Sequence, residues 1–309
     1  MLINKSLSKI FWILFFVVFY NSVYAQHSDD SGNINKLMLY QDSLTDLGKK
    51  MINGESGPER MNANAQFIKT LVRALKIPHS FNFPFDSVKS VTIRNSPDNR
   101  FRFITWHLDF DDGSYRFFGT VQMNTGDKLL MYPLEDYSPF IKKPEDTITD
   151  NTKWFGAQYY KIIPVYTEQN PYYVLLGWKG YTVKANKKVI DIISFKNDKP
   201  VFGHAVFDGN GKVRKRVVFE YTRQASMLLK YDEDGHQIVF DHLSPPDKRM
   251  KGKFDLYGPD LSYDGYRFKN GRWEYVENLD MRNKATNRDG DFIDPKKQAE
   301  IDKATGEGN

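Results

Sequence analysis

The sequence predicts an α+β fold that is mainly antiparallel β, with an N-terminal helical hairpin leading into a β meander. Three observations carry this. Apolar residues recur at helical spacing across 34–76. From Ser87 the period changes to two, and strand-like runs are separated by clusters of Asn, Asp and Gly. The chain has 309 residues with 23 Phe, 18 Tyr and 5 Trp but no Cys, so an aromatic-rich core must hold it without disulfides.

The first helix is expected over Ile34 to Ile52, with Ile34, Leu37, Met38, Leu44, Leu47 and Met51 on one face, Asn33 as its cap and Asn53-Gly54 as its stop. A second follows Ser56-Gly57, with Pro58 and Glu59 suited to its first turn. Its apolar set is Met61, Ala65, Ile68, Leu71, Val72 and Leu75, and Pro78 and Pro84 prevent continuation.

Val88, Val91 and Ile93 open the first strand, and Asn95 to Asn99 is a polar turn. Phe101 to Leu108 and Tyr115 to Met123 flank Asp111-Asp112-Gly113, a hairpin signal. Asn124 to Asp127 turns into Lys128 to Leu134, making a meander of about four strands. Residues 135–151 read as a connection. Strands then resume at Trp154–Tyr166, Tyr172–Trp178, Val189–Phe195, Pro200–Phe207, Lys212–Thr222, Ser226–Tyr231 and Gln237–Phe240, with short strands ending at Trp273–Val276. The domain is expected over 34–280, followed by a polar tail at 281–309. A curved sheet, sandwich or partial barrel fits best. A propeller is the alternative, but about a dozen strands make too few four-stranded blades.

Residues 1–25 read as a secretory signal peptide. Lys5 and Lys9 precede the apolar run Ile10–Tyr20, and Val23 and Ala25 suit cleavage after Ala25. The competing reading is an uncleaved anchor, but the run falls short of the roughly 20 residues that span a bilayer. With no Cys to carry a lipid, a lipoprotein is not expected. The location is therefore periplasmic or secreted, and the mature chain is not expected to span the membrane. The charge balance, 44 Lys+Arg against 39 Asp+Glu, is too even to favour nucleic acid.

Common catalytic spacings are absent, and no cofactor or metal is expected. Asp241-His242 ends an apolar strand, where an imidazole could serve as general base. Adjacent strand residues point to opposite faces, however, and the ordinary reading is a ring bonded to the backbone of the Pro245-Pro246 loop. Asp260 and Asp264, four apart among tyrosines, could form a glycosidase-like pair. Pro259-Asp260 and Asp264-Gly265 read more simply as turn dipeptides. Asn287 to Asp294 looks like part of a calcium loop, but Ala285 and Lys296 fall where ligands belong.

Trp154, Tyr159, Tyr160, Tyr172, Tyr173, Trp178 and Tyr181 crowd one region. Trp178 is the one singled out as a binding candidate, since exposed rings stack on sugars. The ordinary alternative is a β core with cross-strand aromatic pairs. The basic stretch Lys212 to Arg216 puts Arg214 and Arg216 on one face, fit for an anionic partner or a protected sheet edge.

Several segments carry a resemblance: Tyr172 to Trp178 with Lys187 to Asp191, Pro200 to Gly203, Phe219-Glu220-Tyr221 and Ile238 to Leu243. Ser96-Pro97-Asp98 with Phe101-Arg102 and Trp106, and Pro259-Asp260 with Tyr263-Asp264-Gly265, belong with them. Together they resemble a family of uncharacterised secreted β-rich proteins of Gram-negative bacteria, across most of 34–283. The resemblance implies the compartment but no activity or site residue. The expectation is a non-enzymatic binding protein of the cell envelope, its partner a protein, glycan or lipid. The alternative is an envelope hydrolase acting on glycans through Asp241, Asp260 and Asp264, with His242 as acid/base.

Overall fold

The computed structural model describes residues 31–167, 171–209 and 211–281. The expected signal peptide, the calcium-like run and nearly all of the polar tail lie outside them. The fold is α+β with mainly antiparallel strands, and it has four layers: a helix pair and three stacked sheets.

Helix α1 covers 31–53, so Asn33 lies inside it rather than capping it. It buries Leu37, Leu44 and Met51, while Ile34 and Met38 are exposed, a narrower stripe than expected. Helix α2, Gly57–Leu75, starts at the N-cap Ser56, whose hydroxyl accepts from the Glu59 amide. Its buried face includes Ala63, Asn64, Phe67, Leu71, Ala74 and Leu75, and Ala65 faces outward. Leu71 and Leu75 are thus buried as expected, with Met61 and Ile68 partly buried against the same core, and the face is extended by Ala63, Asn64, Phe67 and Ala74 at the expense of Ala65. Phe67 is fully buried against Trp106, ring centroids 5.3 Å apart, and such a side chain contributes about 1.5–3 kcal/mol of burial. Asn64 accepts the Trp106 indole N–H at 2.7 Å, which pays for burying both polar groups.

The first sheet is the expected meander β1-β2-β3-β4: Thr92–Asn95, Phe101–Asp109, Tyr115–Met123 and Met131–Glu135. Val88 is buried in a turn before β1 rather than starting a strand. Both faces of β2 are covered. Ile104, Trp106 and Leu108 pack on the helices, and Phe101 and Phe103 pack on the middle sheet.

The middle sheet runs β5-β9-β8-β7-β6: Thr149–Asp150, Lys199–Phe202, Ala185–Lys196, Tyr172–Gly180 and Gln158–Val165. In β7, Tyr173 and Leu175 face the first sheet, while Tyr172, Val174 and Leu176 face the third. Burial on both faces explains the near-continuous apolar runs here. Tyr173 also donates to Asp98 at 2.6 Å, tying the 96–99 turn to this sheet.

Two expected strands are each split. Pro200–Phe207 breaks at Gly203, whose φ is +90°. Lys212–Thr222 breaks at Lys215–Arg216. The breaks let β10 (Phe207–Gly209) and β11 (Lys212–Arg214) leave for the third sheet, before β12 (Val217–Thr222) returns to pair with β8. The basic stretch is therefore not one exposed face. Arg216 is fully buried with its Nε 2.8 Å from Asp191 Oδ2, and Arg214 pairs with Glu145 at 3.2 Å.

The third sheet runs β11-β10-β16-β15-β14-β13, adding β13 (Leu229–Asp232), β14 (Gln237–Ser244), β15 (Gly258–Lys269) and β16 (Arg272–Val276). Asp264-Gly265 lies within β15 and is not a turn. The strand comes so close to β14 there that a Cβ on Gly265 would stand 2.6 Å from the Ile238 carbonyl oxygen.

Candidate functional site

The site grows from strand register. Ile238 pairs with Tyr266, Phe240 with Asp264, and Tyr266 with Tyr275. Alternation therefore puts Ile238, Phe240 and His242 on the same sheet face as Asp264, Tyr266, Trp273 and Tyr275. Ile238, Phe240, Tyr266 and Trp273 belong to the core shared with the middle sheet. Beyond them the face opens into a cleft of about 240 Å³, walled across from it by Val217 and Phe219 of β12 and lined also by Arg214 of β11.

At its open end the Nδ1 of His242 lies 2.6 Å from Oδ2 of Asp264. The same oxygen accepts the Tyr275 hydroxyl at 2.5 Å, and Oδ1 accepts the Asn278 amide at 3.1 Å. Asp264 is buried, whereas the His242 side chain is 43% exposed. A buried carboxylate thus fixes an accessible imidazole.

Asp260 reaches this group through an irregularity. Pairing shifts between Asp241 and Leu243, where β15 carries Leu261 at φ +73° and 92% exposed. The bulge is held by Asp260, which accepts from the Ser262 amide at 3.1 Å and hydroxyl at 2.7 Å. It brings Asp260 Oδ2 to 3.9 Å from His242 Nε2.

The electrostatics follow. The Asp264 hydrogen bond, aided by the charges of Asp264, Asp260 and Glu277, raises the His242 pKa above its ordinary value against the effect of burial. Burial pushes Asp260 up, but its Ser262 bonds and His242 outweigh this and hold it below the usual carboxylate value. Burial, and then the Asp264 carboxylate, push the Tyr275 phenol well up, so it remains a donor.

Of the residues singled out from sequence, His242, Asp260 and Asp264 come together. Asp241 also borders the cleft, but its carboxylate does not join the cluster: it accepts the Leu228 amide at 2.7 Å. Trp178 is elsewhere, against His107 at 5.1 Å and Tyr115 at 5.9 Å between the first and middle sheets. Most of its aromatic companions are core: Trp154, Tyr159, Tyr172 and Tyr173 are buried. Sequence reasoning missed Tyr275 and Glu277. Extending the alternation from Trp273 reaches both, but only the β15–β16 register shows what they face.

The Ser262 hydroxyl donates to Asp260 and is therefore not aligned on the His242–Asp264 pair as a nucleophile. Among the described residues, no group of three or more His, Cys, Asp or Glu is arranged to hold a metal ion. Nor is any described helix long and apolar enough to cross a membrane. No family model, curated protein or solved structure matches the chain.

Proposed function

We propose that this is an exported, non-enzymatic binding protein of the cell envelope, and that its cleft takes a small hydroxyl-rich ligand such as one sugar unit of a glycan. The leader-like segment at 1–25 supports the export reading. The observation that carries the binding reading is the His242–Asp264–Tyr275 cluster in an aromatic-lined cleft, where the Phe219 ring of the facing wall lies 4.6 Å from that of Phe240. Rings offer apolar faces to a sugar, while the imidazole and carboxylates offer fixed donors and acceptors. At about 240 Å³ the cleft is below the roughly 300–1,000 Å³ of sites for drug-sized ligands, a size suited to one ring.

Calorimetry of the purified protein against an envelope glycan panel tests this. Saturable binding that is lost in His242→Ala and weakened in Tyr275→Phe is expected. No binding across the panel would overturn it.

The second reading is glycan hydrolysis, favoured by one observation: His242 lies between two carboxylates, as an acid/base group could. It predicts turnover that falls in Asp260→Asn. Glycan that binds but is never cleaved would dismiss it.

A further inference from the structure

Arg102 is the second residue of β2 and is 1% exposed. Its Nε donates to Gln122 Oε1 at 2.8 Å, Nη1 to the Phe83 carbonyl at 2.8 Å and Nη2 to the Ser80 carbonyl at 2.9 Å. Gln122 is itself oriented through the Ser80 hydroxyl at 3.1 Å. The rings of Phe81 and Phe85 lie 5.4 and 5.5 Å from the guanidinium carbon. Every one of these partners is neutral. Among the described residues no carboxylate forms an ion pair with Arg102, and burial alone lowers its pKa, to about 10. The other fully buried arginine, Arg216, does have a carboxylate, Asp191. A buried cation ordinarily requires a counter-charge.

Arg102 lines a cavity of about 420 Å³ between the 81–91 segment and β1. Lys89 and Arg94 stand at its exposed rim, against the single acid Asp86. Arg94 is partly committed, its Nε donating to the Tyr160 carbonyl at 3.0 Å and its Nη1 to the Ile93 carbonyl at 2.7 Å. Three of the five Arg102 N–H groups are used in the bonds above, so the guanidinium keeps donor capacity as well as charge.

We propose that this cavity is an anion site, taking the phosphate or carboxylate group of a ligand, with Arg102 as the buried counter-charge and Lys89 and Arg94 at the mouth. It is separate from the His242 cleft, with which it shares no lining residue. Phosphate and carboxylate suit a planar, fixed-charge guanidinium backed by cationic side chains at the mouth.

The test titrates the purified protein with inorganic phosphate, with succinate, and with phosphatidylglycerol vesicles against phosphatidylcholine vesicles. Binding is followed by amide chemical shifts and, for vesicles, by sedimentation. Saturable binding of a free anion, or binding of the anionic vesicles alone, is expected. The first outcome identifies a soluble ligand and the second a lipid headgroup. Lys89→Glu should weaken binding about tenfold or more, and Asp86→Asn should strengthen it. Arg102→Gln removes core hydrogen bonds and is expected to harm folding, so the decisive variants are the exposed ones at the rim. No saturable binding of any probe, or binding that Lys89→Glu leaves unchanged, would overturn the proposal.

Discussion

The Nδ1 of His242 lies 2.6 Å from Oδ2 of Asp264, across the β14–β15 pair and 22 positions apart in sequence. This bond makes the charge of the cleft depend on pH. The folded-state pKa of His242 is raised above 6.5 by the Asp264 hydrogen bond and the surrounding carboxylates. Its contribution to stability is therefore fully present below the unfolded value near 6.5 and lost as pH rises through the higher folded value. Ring-proton NMR should give a midpoint above 6.5, and Asp264→Asn should lower it. Equal midpoints in the two proteins would refute the coupling.

The Asp191–Arg216 pair should be the most sensitive polar contact in the core. Both side chains are fully buried, and Asp191 also accepts the Tyr159 hydroxyl at 3.1 Å. Asp191→Asn leaves the guanidinium without its counter-charge and should cost about 3–5 kcal/mol. Replacing both partners with Leu and Met should recover part of the loss. Urea unfolding measures both, and a loss under about 1 kcal/mol would show the pair to be dispensable.

Lys179 should give the opposite pH signature from His242. Its Nζ sits 4.2 Å from the centre of the Phe117 ring and 3.0 Å from the Ser138 hydroxyl, and burial lowers its pKa to about 8. Between about 8 and 10.5 the unfolded chain binds more protons than the folded one, so this group makes stability rise with pH in that window. Lys179→Met should remove that slope and add on the order of 1 kcal/mol at pH 7. Parallel stability–pH curves for wild type and variant would contradict this.

Gly156 should not tolerate a side chain. Its φ is +72°, and a Cβ there would stand 2.6 Å from Asp136 Oδ1. That carboxylate accepts the Phe117 amide at 3.0 Å and the Ser138 amide at 3.0 Å. Gly156→Ala combines backbone strain with displacement of Asp136 and should cost about 1–3 kcal/mol in denaturant unfolding.

Trp178 and Phe219 separate the two aromatic regions functionally. Phe219→Ala removes part of the cleft wall and should weaken ligand binding about tenfold. Trp178→Phe should leave affinity unchanged, since its ring packs between other sheets. Comparing the two by calorimetry checks the placement of the cleft.

Local chemistry made much of the chain legible. Asp111-Asp112-Gly113 marks the β2–β3 hairpin because Gly113 takes φ +77°, a conformation that glycine favours. The 96–99 and 124–127 turns are likewise written in their own residues. The buried face of α2 was legible only in part: Leu71 and Leu75 are buried as expected, and Met61 and Ile68 pack partly buried on the same core. Ala63 and Phe67 fit helical spacing as well as Ala65 does, and it is the packing of Phe67 against Trp106 that turns them inward and Ala65 outward. The strand breaks at Gly203 and Lys215–Arg216 were hidden for a related reason. Each marks a crossing between sheets, which local apolar content does not report.

By itself the sequence determined the class of fold, the helix pair followed by a β-rich region, the main turns and the residue types available for chemistry. All of these depend on backbone preferences and patterning within a few residues. Only the tertiary structure decided that His242 meets Asp264 and Asp260, that Trp178 does not join them, and that Arg102 is buried without an ion-pair partner. Those relations depend on strand register and layer stacking. Register is set by the free energy of burying whole sheet faces across long sequence separations, and no local segment contains that information.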